Sequence, residues 1–391
     1  MRVVIIGGGA VGSSIALFLK RLGGAAVDVR VIEPDPALTL ASSARSASSI
    51  RLQFSNAINL RMSQFGLEVI THADDWLGVG GDAIDLGYVP SGYLFLASTA
   101  GGAATLRDNH AVQRGLDAPV ALLRPDELAQ RFPWLRQDDV ALASLGLAGE
   151  GWFDGASLAQ ALARKARALG ARWVKSRVVG MARQGRRIRS VSLDDGSAIE
   201  ADAFVNAAGP WAGHVGRLAG VDVPVRARRR TVFMMDCLTA LPRTPLVTDA
   251  SGCWFRSEGS GFIGGWSPGE GDDDPDDLPL DQPDLQQFDD RVWPALAHRV
   301  PAFEALRVRS AWAGYYEVHP MDHNALIGPH PECDNLVLAN GFSGHGLQHS
   351  PATGRGVAEW LLHGRYLSLD LSAFSPQRIA SGQPFVEQAI I

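Results

Sequence analysis

A strand, a glycine-rich turn, a helix and a second strand occupy residues 2–33, and that order restricts the fold more than anything else in the chain. Val3 to Ile6 is an unbroken apolar run, the composition of a strand buried on both faces of a parallel sheet. Gly7-x-Gly9-x-x-Gly12 follows directly, and Ser13–Leu22 then places Ile15, Ala16, Leu19 and Leu22 at helical spacing. Val27–Ile32 reads as the second strand, closed by Glu33-Pro34. These segments make one βαβ unit. Gly7 permits the tight turn, Gly9 lets backbone approach a pyrophosphate, and Gly12 lets helix and strand pack closely. Free N–H groups at the helix start favour phosphate. Glu33 comes 21 residues after Gly12, at a strand end, where a carboxylate accepts both hydroxyls of an adenosine ribose and repels a 2′-phosphate.

The apolar start, Met1 to Leu19, has the outline of a secretory leader, but it holds Gly7, Gly8, Gly9 and Gly12, and no small-residue cleavage site follows. It is shorter than the ~20 apolar residues of a spanning helix, and no other stretch reaches that length. The expectation is a cytoplasmic protein with no transmembrane segment. At 391 residues, two or three domains are expected. A net charge of −6 argues against a nucleic-acid partner, whose binders carry a basic face. Cys237, Cys253 and Cys333 are odd in number and far apart, which argues against a disulfide framework and for a reducing compartment.

Further along, a helix is expected over Ser55–Thr71, and residues 83–147 break into short apolar segments between Gly, Pro and Asp, as strands of a second sheet do. A helix over Leu158–Leu169, stopped by Gly170, precedes strands near Arg172–Val179, Arg189–Leu193 and Ala203–Ala208. Residues 221–318 read as an antiparallel sheet with helices, and 336–362 as a strand, a glycine loop and a helix. Arg226, Arg228, Arg229 and Arg230 alternate along an expected strand as a mostly solvated face. The acidic run (Glu270, Asp272, Asp273, Asp274, Asp276, Asp277, Asp281, Asp284, Asp289, Asp290) is expected to be a solvated loop. The nucleotide-type segments are thus split into three, with two other segments between them.

Three more segments carry chemistry. In Ala41–Phe54, small residues and hydroxyls suit a flat ring and phosphate, and Arg45 and Arg51 supply fixed charge; composition alone fits a flexible linker equally well. Val205-Asn206-Ala207-Ala208-Gly209-Pro210-Trp211 is a buried strand entering a glycine turn, which alone reads more simply as core. Gly341–Gln348 opens a helix, where backbone N–H groups converge on developing negative charge. His319, His323, His330, His345 and His349 include two four-residue spacings but no HExxH, so no metal is expected. Gly341-Phe342-Ser343-Gly344 is one residue short of a nucleophile elbow.

Taken together, the N-terminal glycines with Glu33, the Ser/Arg segment ending Ile50-Arg51, Gly151–Leu158, Val205–Trp211 and Gly341–Gly346 resemble the D-amino-acid-oxidase-type flavoproteins. That family holds sarcosine oxidase, dimethylglycine dehydrogenase, glycine oxidase and D-amino-acid dehydrogenases, and the Gly341–Gly346 motif is similar to its sarcosine-oxidase branch. The resemblance implies an α/β fold in which a Rossmann-like FAD-binding domain (1–82, 148–220 and 319–391) is interleaved with an α+β, antiparallel-sheet substrate domain (83–147 and 221–318). It implies FAD as cofactor. Gly7, Gly9, Ala10, Val11, Gly12, Glu33 and Pro34 would take the ADP half, and Ser42, Ser43, Arg45 and Ser46 the pyrophosphate and flavin side. Val178 would touch adenine through its backbone, while Ala208, Gly209, Trp211 and Gly314 flank the cofactor. Gly344, His345, Gly346, Leu347 and Gln348 would hold the flavin's pyrimidine edge.

The resemblance further implies oxidation of an amino or N-alkylamino acid, with hydride passing from the carbon next to nitrogen to flavin N5 and the imine then hydrolysing. Arg51 matches the family arginine that pairs with a substrate carboxylate, and Tyr316 and Trp254 are the expected aromatic walls. Gly314 stands at the flavin-linking cysteine position, which points to non-covalent FAD. Gln348 replaces a carboxylate-binding lysine, Ser267 a cavity histidine, and Ile263 or Gly264 the lysine that activates oxygen. A dehydrogenase is therefore expected ahead of an oxidase, passing electrons to a quinone, a flavoprotein or oxygen. A 2-hydroxy-acid dehydrogenase, a non-catalytic FAD-binding assembly factor and a nicotinamide enzyme remain alternatives.

Overall fold

The computed structural model describes residues 1–269, 273 and 275–388. Glu270, Asp272 and Asp274 of the acidic run, and 389–391 at the end of the last expected domain segment, lie outside the described residues.

A six-stranded sheet carries the nucleotide-type segments. Its strands run in the order Leu326–His330, Cys333–Asn340, Ala203–Asn206, Arg2–Ile6, Asp28–Ile32 and Arg172–Val174. All neighbours are parallel except Leu326–His330, which folds back antiparallel on the strand after it. Alternation along Arg2–Ile6 explains how one short strand organises both faces. Val3 and Ile5 join the core beneath the helices Ala10–Gly23, Gly155–Ala168 and Gly346–His363. Val4 and Ile6 join a second core, beneath the meander Val178–Gln184, Arg187–Leu193 and Ala198–Glu200. The expected continuous strand from Arg172 is thus two strands in two sheets.

An eight-stranded sheet stands against it, in the order Arg307–Val318, Arg226–Asp236, Gly261–Trp266, Cys253–Glu258, Leu246–Thr248, Tyr93–Ala97, Leu142–Gly146 and Val120–Leu123. One pairing departs from the antiparallel expectation: Leu246–Thr248 runs parallel to Tyr93–Ala97. These two strands are joined by a long connection, which leaves either direction open; only a short hairpin would enforce the antiparallel one. Residues 83–147 also hold helices, Ala100–Arg114 and Pro125–Arg131, where only strands were expected. Gly101-Gly102 disguises the first of them, yet Thr99 caps it by accepting from Gly102 N at 3.0 Å. No helix among the described residues is long and apolar enough to cross a membrane.

Candidate active site

A cavity of about 460 Å³ lies where the parallel strands end, between the two sheets. That is a volume typical of small-molecule sites, at the strand edge where open α/β sheets bind ligands. One wall is the first turn: Gly7, Gly9, Ala10, Val11, then Glu33 and Pro34 from the next strand end. Ser42, Ser43, Arg45 and Ser46 form a second wall, and Val178, Ala208, Gly209 and Trp211 a third. Gly314, Tyr316, Trp254, Gly344, Gly346 and Leu347 complete it.

Arg51, His345 and Gln348 lie instead on a side chamber of about 40 Å³, which shares Ala47, Trp254, Tyr316 and Gly344 with the cavity. Gly12 lines neither. A Cβ there would meet Gly7 O at 2.0 Å, so Gly12 serves the site by letting helix and turn touch. Gly7 has φ +102°, and a Cβ on it would lie 2.3 Å from Ala207 O. Only glycine fits that turn.

The segment from Ala41 is not a flexible linker. Ser42–Arg45 is one helical turn, and three hydrogen bonds fix it to the strand Arg307–Val318: Ser42 Oγ to Tyr315 O at 2.7 Å, Arg45 Nη1 to Ala313 O at 2.9 Å, and Trp312 Nε1 to Arg45 O at 2.9 Å. That packing also closes the space over Gly314, where a Cβ would stand 3.1 Å from Arg45 O.

Features of the cavity fit a phosphate-bearing dinucleotide. Ser43 Oγ is buried with no hydrogen-bond partner, and a Cβ on Gly9 would face it at 3.8 Å. Arg230 Nε is a second buried polar atom without a partner on residues lining the same cavity. Such atoms are costly unless a ligand or water satisfies them. The helix Ala10–Gly23 starts at this wall, with its N–H groups free for an anion. Glu33 accepts from Gly8 N at 2.8 Å and Asp35 N at 2.9 Å, which fixes the carboxylate and leaves lone pairs for ribose hydroxyls. Burial raises its carboxyl above the ordinary range, against the pull of those two N–H groups.

In the side chamber, the Arg51 guanidinium is almost wholly buried, 4.4 Å from the Phe54 ring centre and donating from Nη1 to Gln53 O at 2.8 Å. Its Nη2 lies 2.7 Å from His345 Nε2. Arginine can only donate, so that nitrogen accepts and His345 carries its proton on Nδ1. Burial and the Arg51 charge hold His345 well below the usual histidine range; the same two causes lower His349 to about 3. Both rings are neutral. Glu150 is pushed up to about 7 by burial, although Leu52 N and Gln53 Nε2 donate to it at 2.6 and 2.8 Å. Gln348 holds the backbone instead of presenting a second cation: its Oε1 accepts from Arg51 N at 2.9 Å and Ser63 Oγ at 3.3 Å.

Arg230 and Glu317 are among the cavity residues that escaped the sequence reading. Arg230 was assigned to a solvated face, yet its guanidinium lies 5.3 Å from the Tyr316 ring centre, with Nη1 and Nη2 on Asp273 at 2.7 and 3.2 Å. Period-two alternation carried the signal, since it sets Arg228 and Arg230 on one face. Glu317 is a lone acid in an otherwise apolar and aromatic stretch of strand. Of the histidines, His319 is spent on Asp322 at 2.8 Å, and no group of three or more potential metal ligands occurs among the described residues.

The model of the family DAO, FAD dependent oxidoreductase, matches residues 2–360. The FAD-dependent oxidoreductase domain-containing protein 1 of Xenopus laevis is 41% identical over the whole of this chain and 84% of its own length. Mitochondrial sarcosine dehydrogenase of Mus musculus is 27% identical over 93% of this chain, which spans 40% of that protein. Among solved structures, L-proline dehydrogenase from P. horikoshii superposes with a TM-score of 0.85 at 27% identity, covering 98% of both chains. Glycine oxidase from Geobacillus kaustophilus gives 0.80 at 25% identity, over 96% of this chain and 99% of that one.

Proposed function

The chain belongs to the DAO family of FAD-dependent oxidoreductases, and from that premise we propose that it oxidises the carbon–nitrogen bond of an amino or N-alkylamino acid. The observation that carries this reading is the side chamber, where a buried arginine stands next to the cofactor cavity across shared walls of Tyr316 and Trp254. FAD, when bound, supplies the two-electron acceptor. Arg51 binds the substrate carboxylate with a planar fork, and that contact sets the adjacent carbon toward the cavity. His345, neutral and accepting from Arg51, keeps the fork in register without adding a competing charge. Tyr316 and Trp254 exclude water from the junction. The substrate amine enters neutral, so no side chain has to take a proton from nitrogen before the carbon gives up hydride. The imine released takes up water to give a carbonyl compound and an amine or ammonia.

We assign the work to two units with the boundaries drawn from the sequence, to the cytoplasm, and to FAD held without a covalent bond. Three free cysteines suit a reducing compartment. Glycine at 314 offers no thiol, and acid precipitation is expected to leave all the yellow colour in the supernatant. Flavin retained on the pellet would reveal a linkage elsewhere.

Dehydrogenase chemistry is favoured over oxidase chemistry. Ile263 and Gly264 carry no cation, and the Arg230 charge is already met by Asp273. A fixed charge a few ångströms from developing superoxide is worth about 4 kcal/mol at an effective dielectric near 20. Its loss should slow reaction with oxygen on the order of a hundredfold or more, at ~1.36 kcal/mol per tenfold. Reoxidation of substrate-reduced enzyme in air-saturated buffer is thus expected to be far slower than turnover with a dye; equal rates would make it an oxidase. The reaction itself is tested by product analysis, in which each dye equivalent reduced yields one equivalent of amine or ammonia. Dye reduction that yields neither a released amine or ammonia nor, from a cyclic amino acid, a ring imine refutes the reading.

A further inference from the structure

Glu317 is a buried acid on the wall of the cofactor cavity to which the reaction above gives no task. The strand Arg307–Val318 delivers it to the start of the helix Gly346–His363. Oε2 accepts from Gly341 N at 3.0 Å, and the Phe342 N–H also serves the carboxyl. The cavity-lining glycines Gly346 and Gly209 open onto it: a Cβ on the first would lie 3.2 Å from Oε1 and one on the second 3.9 Å from Oε2. FAD presents oxygen acceptors and negative phosphates. Glu317 is buried and held by backbone N–H groups with no cation on it among the described residues, so an ionised carboxylate would set an uncompensated charge beside those phosphates, whereas a carboxylic acid adds no charge and donates one hydrogen bond.

We propose that Glu317 is a positioning residue of the cofactor cavity, holding a proton that its carboxylic acid donates to an acceptor oxygen of FAD beside the first turn of the helix Gly346–His363. The inference rests on the family's cofactor and is independent of which substrate is oxidised.

Electrostatics agree with the geometry. Burial pushes the Glu317 carboxyl up to about 8, against the pull of two backbone N–H groups. Around it are Tyr315 and Tyr316 on its own strand, Arg226 and Arg228 flanking the facing Ala227, and His319 and His345 in the adjoining loops. None contributes to that shift, which is desolvation alone. FAD that accepts the proton raises the affinity of Glu317 for it further. Linkage then fixes the sign: FAD affinity is level below the carboxyl's own midpoint and falls above it, by up to about tenfold per pH unit for one proton.

The test uses apoprotein of the full chain, titrated with FAD by flavin fluorescence at pH values from about 7 to 9.5. The expected result is a dissociation constant that rises in the wild type above about pH 8 and stays level in Glu317→Gln, whose amide donates at every pH. A level wild-type profile overturns the proposal, and so does the same rise in Glu317→Gln. Should that variant not fold, Glu317→Asp decides: a displaced midpoint supports the assignment, and an unmoved one contradicts it. Loss of substrate oxidation with this profile intact would count against the proposed reaction only.

Discussion

Arg51→Ala is expected to lower kcat/KM for the amino-acid substrate by about 10²–10³-fold while FAD content stays at the wild-type level. The guanidinium is held before substrate arrives, by the Gln53 carbonyl and by the faces of Phe54 and Phe95 at 4.4 and 5.3 Å. A carboxylate therefore meets a fixed fork and orders no flexible side chain. Removing one member of a buried charge pair costs roughly 2–5 kcal/mol, and ~1.4 kcal/mol is a factor of ten. If the contact also aligns the reacting carbon, kcat falls along with the rise in KM; a pure binding role would raise KM alone. Arg51→Lys keeps the charge and loses the planar fork, so it should fall between the two. The thermal midpoint serves as control, because alanine leaves space among Phe54, Tyr93 and Phe95. Steady-state kinetics with a dye acceptor decide the matter, and a change of less than about threefold in Arg51→Ala would remove the carboxylate clamp from the account.

Glu33→Arg should weaken FAD binding by at least about a hundredfold. The carboxylate ties Gly8 N and Asp35 N at 2.8 and 2.9 Å, so it shapes the first turn as well as facing the ribose. Each hydrogen bond to a charged group contributes roughly 1.5–3 kcal/mol, and an arginine can accept neither. The flavin-to-protein absorbance ratio after gel filtration reads this directly. A variant that purified with full flavin would place the adenosine elsewhere.

Local order was legible wherever neighbours in sequence are also neighbours in space. The βαβ unit is such a case: Val3–Ile6, the three glycines and Glu33 meet within residues 2–33, and the strands pair as Ile6 with Ile32. The strand at Ala203–Asn206 and the helix from Gly346 were readable for the same reason, through continuous burial and glycine punctuation. Long-range placement was not. Arg230 reaches the cavity because strand Arg226–Asp236 pairs with Arg307–Val318, setting Arg230 opposite Gly314. Nothing within the arginine run announces that partner. Glu317 becomes buried only when the loop at Gly341 folds over it. The Ala41–Phe54 segment reads equally as linker or site until Ser42 and Arg45 find carbonyls about 270 residues away, at Tyr315 and Ala313. Gln348 was placed by motif position at the flavin's pyrimidine edge, in place of a family lysine, whereas its oxygen is committed to the Arg51 backbone N–H.

Anaerobic mixing of the oxidised holoenzyme with a panel of small acids, followed in the flavin's visible absorption, tests the central claim most directly. Amino acids or N-alkylamino acids are expected to bleach the flavin, the corresponding amines without the carboxylate to do so far more slowly, and 2-hydroxy acids not at all. Bleaching by hydroxy acids alone, or by none of these compounds with the flavin fully bound, would contradict it.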